Sequence, residues 1–284
     1  MLQSLWNNTK TTLLLGGLMG LCLGVGYLIG GQQALIPALG IGAVLNLGAF
    51  FWSDKIALAT MRARQINRED DPQLYDTVAD LAKRANLPMP RVCICPARAP
   101  NAFATGRGPK HSAVCVTAGL REILNRDELA GVIAHELSHV RHRDVLISTI
   151  AAVVAAAITM LTYFGLFFGG GDDDEGNPLI ALAMMIVAPM AAGLIRMAIS
   201  RSREFEADRA GAEIAGSPRG LASALRKLHD GSRRVPLPAP DAQSGLFIVQ
   251  PLSAKARGRR SMSKLFMTHP PVEERIARLR VLER

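Results

Sequence analysis

Four long apolar runs dominate the pattern of hydrophobic positions along the chain. Residues 13–30, 34–52, 145–168 and 178–195 contain no charged side chain. Each run has about the 18 to 20 residues that a helix needs to cross the hydrocarbon core of a bilayer. Only short links separate the first run from the second and the third from the fourth. The pattern therefore predicts four transmembrane helices arranged as two hairpins.

Between and after these runs, the spacing of apolar residues is that of a folded, water-exposed region of the chain. Residues 72–86 place apolar side chains on one helical stripe, and the basic segment 55–68 is predicted to extend the second transmembrane helix. Residues 91–95 and 112–117 alternate as short strands do. A further amphipathic helix is predicted after Pro270. The predicted fold is mainly α with a small β-sheet.

The distribution of charge predicts how the chain is oriented in a membrane. Of 33 Lys and Arg residues, 1 precedes the first run, 14 lie between Asp54 and Asp144, and 18 follow from Arg196 onward. The link at 169–177 is acidic and has no basic residue. By the positive-inside rule, both termini and the middle segment are cytoplasmic, and the acidic loop is periplasmic. This topology explains the net charge of +9 without nucleic-acid binding, for which no basic patch interleaved with aromatic residues is present.

The cysteines carry no predicted chemistry. Cys93, Cys95 and Cys115 fall in a compartment predicted to be reducing, and their spacing matches no four-ligand zinc site. They are predicted to be packing residues.

The strongest chemical signal is the motif His135-Glu136-Leu-Ser-His139. On a helix, residues four apart share a face, so the two imidazoles can bind one metal ion. Glu136 points about 100° further round and is placed to reach a water on that ion rather than the ion itself. Asn125 is the predicted N-cap of this helix, with Glu128 in capping-box position. The motif indicates metal-assisted hydrolysis with Glu136 as general base.

A third metal ligand must come from another helix, since a catalytic zinc usually keeps three protein ligands. Glu204 and Asp208 follow the fourth apolar run at helical spacing, on one face with Gly211. Glu204 is predicted as the ligand, and Asp208 is predicted to support a ligand histidine by bonding its free N–H. Glu206 lies off this face and is predicted to be solvated.

Two further segments leave alternatives open. The stretch Asn101, Ala102, Phe103, Ala104 is either a strand edge that binds an extended substrate peptide or an ordinary hairpin strand. His269 stands directly before a helix that starts at a proline, where it either donates a hydrogen bond to an oxyanion or simply precedes the helix. Residues 232–262 are predicted to form a loop or flap.

The chain resembles the HtpX family of membrane-bound zinc endopeptidases, which is related to the CAAX-prenyl proteases. The motifs that carry the resemblance are His135-Glu-Leu-Ser-His139-Val with Arg143-Asp144, Arg203-Glu204-Phe-Glu-Ala-Asp208, Pro100-Asn101-Ala-Phe-Ala, and Thr268-His269-Pro-Pro-Val with Arg275-Ile276. The resemblance implies one Zn²⁺ per chain held by His135, His139 and Glu204, with Glu136 as general base. It also implies support of the ligands by Asp208, transition-state stabilisation by His269, and substrate binding at 101–104. It further implies a zincin-like cytoplasmic α+β domain.

The predicted function is proteolytic quality control in a bacterial inner membrane, by cleavage of misfolded or damaged membrane proteins at the cytoplasmic face. The alternatives are a protease that processes prenylated proteins, for which four spans form too small a chamber, and a non-catalytic zinc-binding scaffold or partner-binding protein. The predicted organisation is a transmembrane hairpin at 1–54, a first part of the protease domain at 55–144, a second hairpin at 145–196 and a second protease part at 197–284.

Overall fold

A computed structural model of the protein describes residues 31–147, 150, 201–232 and 270–283, together with isolated positions between 9 and 27. The third and fourth apolar runs beyond these residues, the acidic loop, nearly all of the predicted flap and His269 lie outside the described residues. The described chain is mainly helical with one small sheet, as predicted. Its helices are α1 (Leu35–Thr60), α2 (Pro72–Arg84), α3 (Ala118–Ile123), α4 (Arg126–His142), α5 (Arg201–Ala215), α6 (Arg219–Ser232) and α7 (Val272–Val281).

The sheet is mixed and has four strands in the order β1-β2-β4-β3. β2 and β4 are parallel neighbours, whereas β1 pairs with β2 and β3 pairs with β4 in antiparallel fashion. β3 is therefore an edge strand of this sheet. The strands are β1 (Arg64–Gln65), β2 (Arg91–Cys95), β3 (Ala102–Gly106) and β4 (Ser112–Thr117).

α1 is the continuation of a short 3-10 turn, Gly31–Ala34, and the two together form a helix of 30 residues that is long and apolar enough to cross a membrane. Its large apolar side chains face outward, among them Ile36 at 81% and Val44 at 67% exposed. The second predicted span lies within this helix. The helix does not continue through the basic segment, because it ends at Thr60 and residues 64–65 pair with β2 instead.

The two faces of the sheet are covered by different partners. Alternate residues of the strands, such as Val114 and Val116, pack with α2, α4 and α6 in the main core. The intervening residues, including Cys93, Cys95, Phe103 and Cys115, pack against Leu58 near the end of α1. Each fully buried Leu, Ile or Val contributes roughly 1.5 to 3 kcal/mol to stability. The main core thereby positions α4, which lies against one face of the sheet, relative to the edge strand.

The termini of α4 are determined by local interactions. Asn125 Oδ1 accepts a hydrogen bond from Glu128 N, and Glu128 Oε2 accepts one from Asn125 N, both at 2.9 Å, so the predicted capping box is confirmed. At the other end, Arg143 adopts a left-handed conformation with φ of 60°. The chain therefore does not run straight from α4 into the third apolar run. This break turns Asp144 back towards the last turn of the helix.

Candidate metal centre

His135 and His139 lie one turn apart on α4 and face the same side. Their ring centroids are 4.8 Å apart and the ring planes are nearly perpendicular. The His135 side chain is 1% exposed, whereas that of His139 is 15% exposed. Two imidazoles held at this spacing in a buried position are typical of a metal site.

Glu204 on α5 completes a group of three. Its Oε2 lies 3.8 Å from His135 Nε2, and its Oε1 lies 3.6 Å from His139 Nε2. The three potential ligand atoms are within 4.8 Å of one another. A tetrahedral ion with metal–ligand distances of about 2.0 to 2.1 Å separates its ligands by roughly 3.3 Å. The donor set and its spacing therefore fit a zinc ion that keeps one coordination position open.

The approach of α5 to α4 depends on a glycine. A Cβ atom at Gly211 would lie 2.9 Å from both the N and Cα atoms of His135, closer than carbon atoms approach in packed proteins. Ser138 adds a polar contact between the two helices, because its hydroxyl, which donates to His135 O at 2.8 Å, also lies 3.3 Å from Ala207 O. Close packing of α5 on α4 is what places Glu204 beside both histidines.

His135 is supported by an aspartate and an arginine. Its Nδ1 lies 3.0 Å from Asp208 Oδ1, although the ring N–H is not well aligned with that oxygen. Arg275 of α7 is fully buried and donates to both oxygens of Asp208, at 2.6 and 2.8 Å. Arg275 also lies 3.4 Å from His135 Nε2 and 3.9 Å from Glu204. The C-terminal helix α7 thus contributes directly to the centre.

His139 has a corresponding pair of supporting side chains. Its Nδ1 lies 3.3 Å from Asp144 Oδ2, and Arg203 Nη1 donates to Asp144 Oδ1, also at 3.3 Å. Because Nδ1 of each histidine contacts a carboxylate, Nε2 is the atom of each ring that is available to a metal.

The centre contains an excess of buried negative charge. The buried carboxylates are Glu136, Asp144, Glu204 and Asp208, and the buried guanidinium groups are Arg203 and Arg275. With neutral histidines, these described residues leave a formal charge of −2. Uncompensated buried charge is costly, and a divalent cation would offset it.

The same charges shift two pKa values. Burial lowers the pKa of His139, but the contact with Asp144 and the charges of Glu204 and Glu136 outweigh it and raise the pKa to about 9. Burial raises the pKa of Asp208, but the charge and hydrogen bonds of Arg275 outweigh it and lower the pKa to about 2. Without a metal, the electrostatics of the centre favour a positive charge at His139 and a negative charge at Asp208.

The Glu136 carboxylate contacts the sheet and lies near enough to the ligand group for its charge to act on His139. Its Oε2 accepts a hydrogen bond from Ala104 N at 2.9 Å, and its side chain is almost completely buried. This bond joins the residue predicted as general base to the edge strand β3. The strand and the carboxylate therefore line the same side of the centre.

Residues 101–104 are distributed over both faces of the sheet. Asn101 is buried, and its backbone is bonded to Thr117 at the end of β4. Phe103 packs with the cluster beside α1, whereas Ala104 lies near Glu136 and packs with Val140. Only the Ala104 end of this segment borders the metal centre. Glu206, predicted to be solvated, is exposed.

Sequence reasoning gave no role in the centre to Asp144, Arg203 or Arg275, although all three stand in the motifs that carry the family resemblance. One signal was present for Arg275, which occupies a position on the apolar stripe of α7 together with Leu279 and is as buried as that residue. A charge at such a position indicates a buried partner. Asp144 carried no comparable signal, because its contact with His139 depends on the left-handed conformation of Arg143.

The chain resembles known proteins over nearly its whole length. Residues 68–283 match peptidase family M48. A "Protease HtpX homolog" of Salinibacter ruber is 50% identical over 273 residues, which cover 96% of this chain and 97% of that protein. A protein of the same name from Pyrococcus furiosus is 50% identical over 282 residues, which cover 97% and 95%. The crystal structure of S. mikatae Ste24p shares the fold, with a TM-score of 0.50 and 17% identity, over 98% of this chain and 67% of that one.

Proposed function

The chain belongs to peptidase family M48, and from that premise we propose that it is a zinc-dependent endopeptidase of a bacterial inner membrane, with its metal centre on the cytoplasmic side. That it is a metallopeptidase follows from the family. The observation that supports the zinc site is the buried group of His135, His139 and Glu204, whose Nε2 and carboxylate atoms converge within 4.8 Å.

In the proposed mechanism, His135, His139 and Glu204 hold the metal. A bound zinc ion would polarise the scissile carbonyl and bring the pKa of a bound water towards 7, roughly. Glu136 would serve as the general base towards the attacking water and would pass the proton on to the leaving amine. Asp208 and Asp144 orient the two imidazoles through Nδ1. His269 is proposed to stabilise the oxyanion, as the family resemblance implies.

The substrate peptide is proposed to add to the edge strand β3. An edge strand offers unpaired backbone groups to an extended peptide, and the bond between Ala104 N and Glu136 brings this strand next to the general base. The peptide would then pass the metal centre in an extended conformation, in contact with residues 101–104.

The proposed substrates are misfolded or damaged membrane proteins. Four transmembrane helices in two hairpins, with both termini and the protease domain in the cytoplasm, would place the centre close to the bilayer surface. α1 supports this placement through its length and its exposed apolar side chains. A protease of this kind meets segments of membrane proteins where they leave the bilayer.

Replacing Glu136 tests the proposed function. Glu136→Gln keeps the three ligands but removes the general base, so cleavage of casein or of an unfolded membrane protein in detergent should fall by about 10² to 10⁴-fold, with the zinc content unchanged. The matched control is Glu206→Gln, an exposed glutamate on α5. Wild-type activity in purified Glu136→Gln protein would refute the proposal.

A further inference from the structure

The turn between β3 and β4 reaches towards the apolar part of α1. β3 runs along the end of α1, with Phe103 packed in the cluster that contains Leu58. Four residues further along, the Arg107 guanidinium lies over the ring of Phe51, 5.3 Å from its centroid. The strand therefore runs in the direction opposite to α1. The turn is the part of the sheet that lies furthest towards the N-terminal half of the helix.

Phe51 marks the level at which the apolar stretch of α1 meets its charged end. It belongs to the uncharged run 34–52, and the first charges of the helix, Asp54 and Lys55, follow within about one turn. Phe51 and its neighbour Trp52 are 46% and 55% exposed. Exposed aromatic residues between an apolar and a charged segment are typical of the headgroup level of a membrane. The turn that contacts Phe51 thus lies at the same level.

The charged side chains of the turn and of the surrounding sequence are all basic. Residues 81–121 contain seven Lys and Arg residues and no Asp or Glu. At the turn itself, Arg107 is half-buried against Phe51, whereas Lys110 and His111 are exposed. Gly106, with φ of +138°, leaves no room for a Cβ atom beside the backbone of His111, so the shape of the turn depends on glycine. A fixed basic turn at headgroup level is complementary to anionic lipid.

We propose that the β3–β4 turn, residues 107–111, binds anionic phospholipid headgroups through Arg107 and Lys110. The inference rests on the membrane placement of α1 that the proposed function includes. Such binding would hold the edge strand β3 with its turn at the bilayer surface and its middle residue, Ala104, beside Glu136 at the metal centre. A peptide added to β3 would then run away from the bilayer as it passes the centre.

The test uses the full chain reconstituted in phosphatidylcholine vesicles containing a quarter phosphatidylglycerol. A fluorophore is attached at His111→Cys, with Cys22 replaced by Ser. The other three cysteines are buried. A nitroxide near the glycerol end of an acyl chain quenches the fluorophore. Quenching is compared between vesicles in which the phosphatidylglycerol carries this nitroxide and vesicles in which the phosphatidylcholine carries it. Each Lys or Arg near an anionic surface is expected to raise the local concentration of anionic lipid about fivefold. Stronger quenching by the anionic lipid, to about this extent, is expected.

Charge reversal identifies the residues responsible. Arg107→Glu with Lys110→Glu should abolish the preference for the anionic lipid. The matched control, Arg226→Glu with Arg280→Glu, reverses two exposed charges on α6 and α7 and should retain it. Equal quenching by the two lipids in the unreversed protein would overturn the proposal.

A second probe separates this proposal from the membrane placement of α1. A fluorophore at Val44→Cys, an exposed position near the middle of the apolar run of α1, should be quenched equally by the two lipids when the nitroxide is placed near the methyl end of the acyl chain. Quenching at residue 44 without quenching at residue 111 would overturn the lipid contact of the turn alone. Absence of quenching at residue 44 would contradict the membrane placement and, with it, this inference.

Discussion

His135 and His139 lie one helical turn apart on α4, yet different parts of the chain support them. On the His135 side, Asp208 is bound by two hydrogen bonds of 2.6 and 2.8 Å from Arg275, which is fully buried. On the His139 side, the contact of Arg203 with Asp144 is longer, at 3.3 Å. In the described part of the chain, Arg203 Nε and Nη2 have no hydrogen-bond partner.

The difference indicates which parts of the protein stabilise the centre. The His135 side depends on α7, which is further held to α5 by Arg278 over the ring of Phe205. The His139 side depends on the residue that follows the left-handed Arg143 and leads towards the third apolar run. Of the two arginines, Arg275 on the C-terminal helix therefore makes the shorter and more numerous contacts, and Arg203 beside the membrane segment makes the longer one.

The largest effect should come from replacing Arg275, and a much smaller one from replacing Arg203. Arg275→Met leaves Asp208 buried without its partner, so the free energy of unfolding should fall by about 3 to 5 kcal/mol. Arg203→Met removes one long contact and two unsatisfied donors, so the loss should stay below about 1.5 kcal/mol. Denaturant unfolding of the detergent-solubilised variants measures both. Equal losses would show that the two sides are equivalent.

A smaller loss of stability, but a specific loss of metal, is expected for Gly211→Ala. The new methyl group meets the His135 backbone, which should cost about 1 to 3 kcal/mol and displace Glu204. Gly220→Ala is the control, because a Cβ atom there meets the backbone of Asp127 on the same helix, far from the histidines. Zinc titration should show weaker binding only for Gly211→Ala. Unchanged zinc affinity in that variant would contradict the role given to α5 packing.

The pH dependence of zinc binding distinguishes the two aspartates. Because the pKa of His139 is raised to about 9, a proton competes with the metal, and zinc affinity should rise about tenfold per pH unit between pH 7 and 9. Asp144→Asn should flatten this slope. Asp208→Asn should retain the slope but lower the affinity about 10- to 100-fold. An unchanged slope in Asp144→Asn would contradict the part given to Asp144 in raising the pKa of His139.

The directions of the pKa shifts of His139 and Asp208 also predict how the stability of the metal-free protein depends on pH. A histidine with a raised pKa contributes stability fully below its ordinary value of 6.5, and the contribution is lost as the pH rises through about 9. Asp208, with its pKa lowered to about 2, contributes stability above its ordinary value of 3.8 and loses it as the pH falls through about 2. Both contributions are present together between roughly pH 4 and 6.5.

Local patterns in the sequence were sufficient for part of this arrangement. The spacing of His135 and His139, the capping box at Asn125 and the strands β2 and β4 follow from interactions within a few residues. The position of Glu204 beside the histidines was predicted from the number of ligands that a catalytic zinc needs. In each case, the physical cause lies in the local sequence or in the chemistry of the ion.

Contacts that depend on the surrounding fold account for what the sequence did not predict. The basic segment after α1 was expected to continue the helix, but residues 64–65 pair with β2, a neighbour distant in sequence. The contact of Asp144 with His139 requires a left-handed non-glycine residue, which sequence patterns rarely indicate. The buried position of Arg275 depends on Asp208, 67 residues away.

The central claim is that Glu204 joins His135 and His139 as a metal ligand. Its most direct test is the zinc content of the purified protein, compared with Glu204→Ala and with Glu206→Ala as the exposed control on the same helix. We predict close to one zinc per chain for the wild type and for Glu206→Ala, and a large loss for Glu204→Ala. A Glu204→Ala protein that retains the full zinc content would contradict the claim.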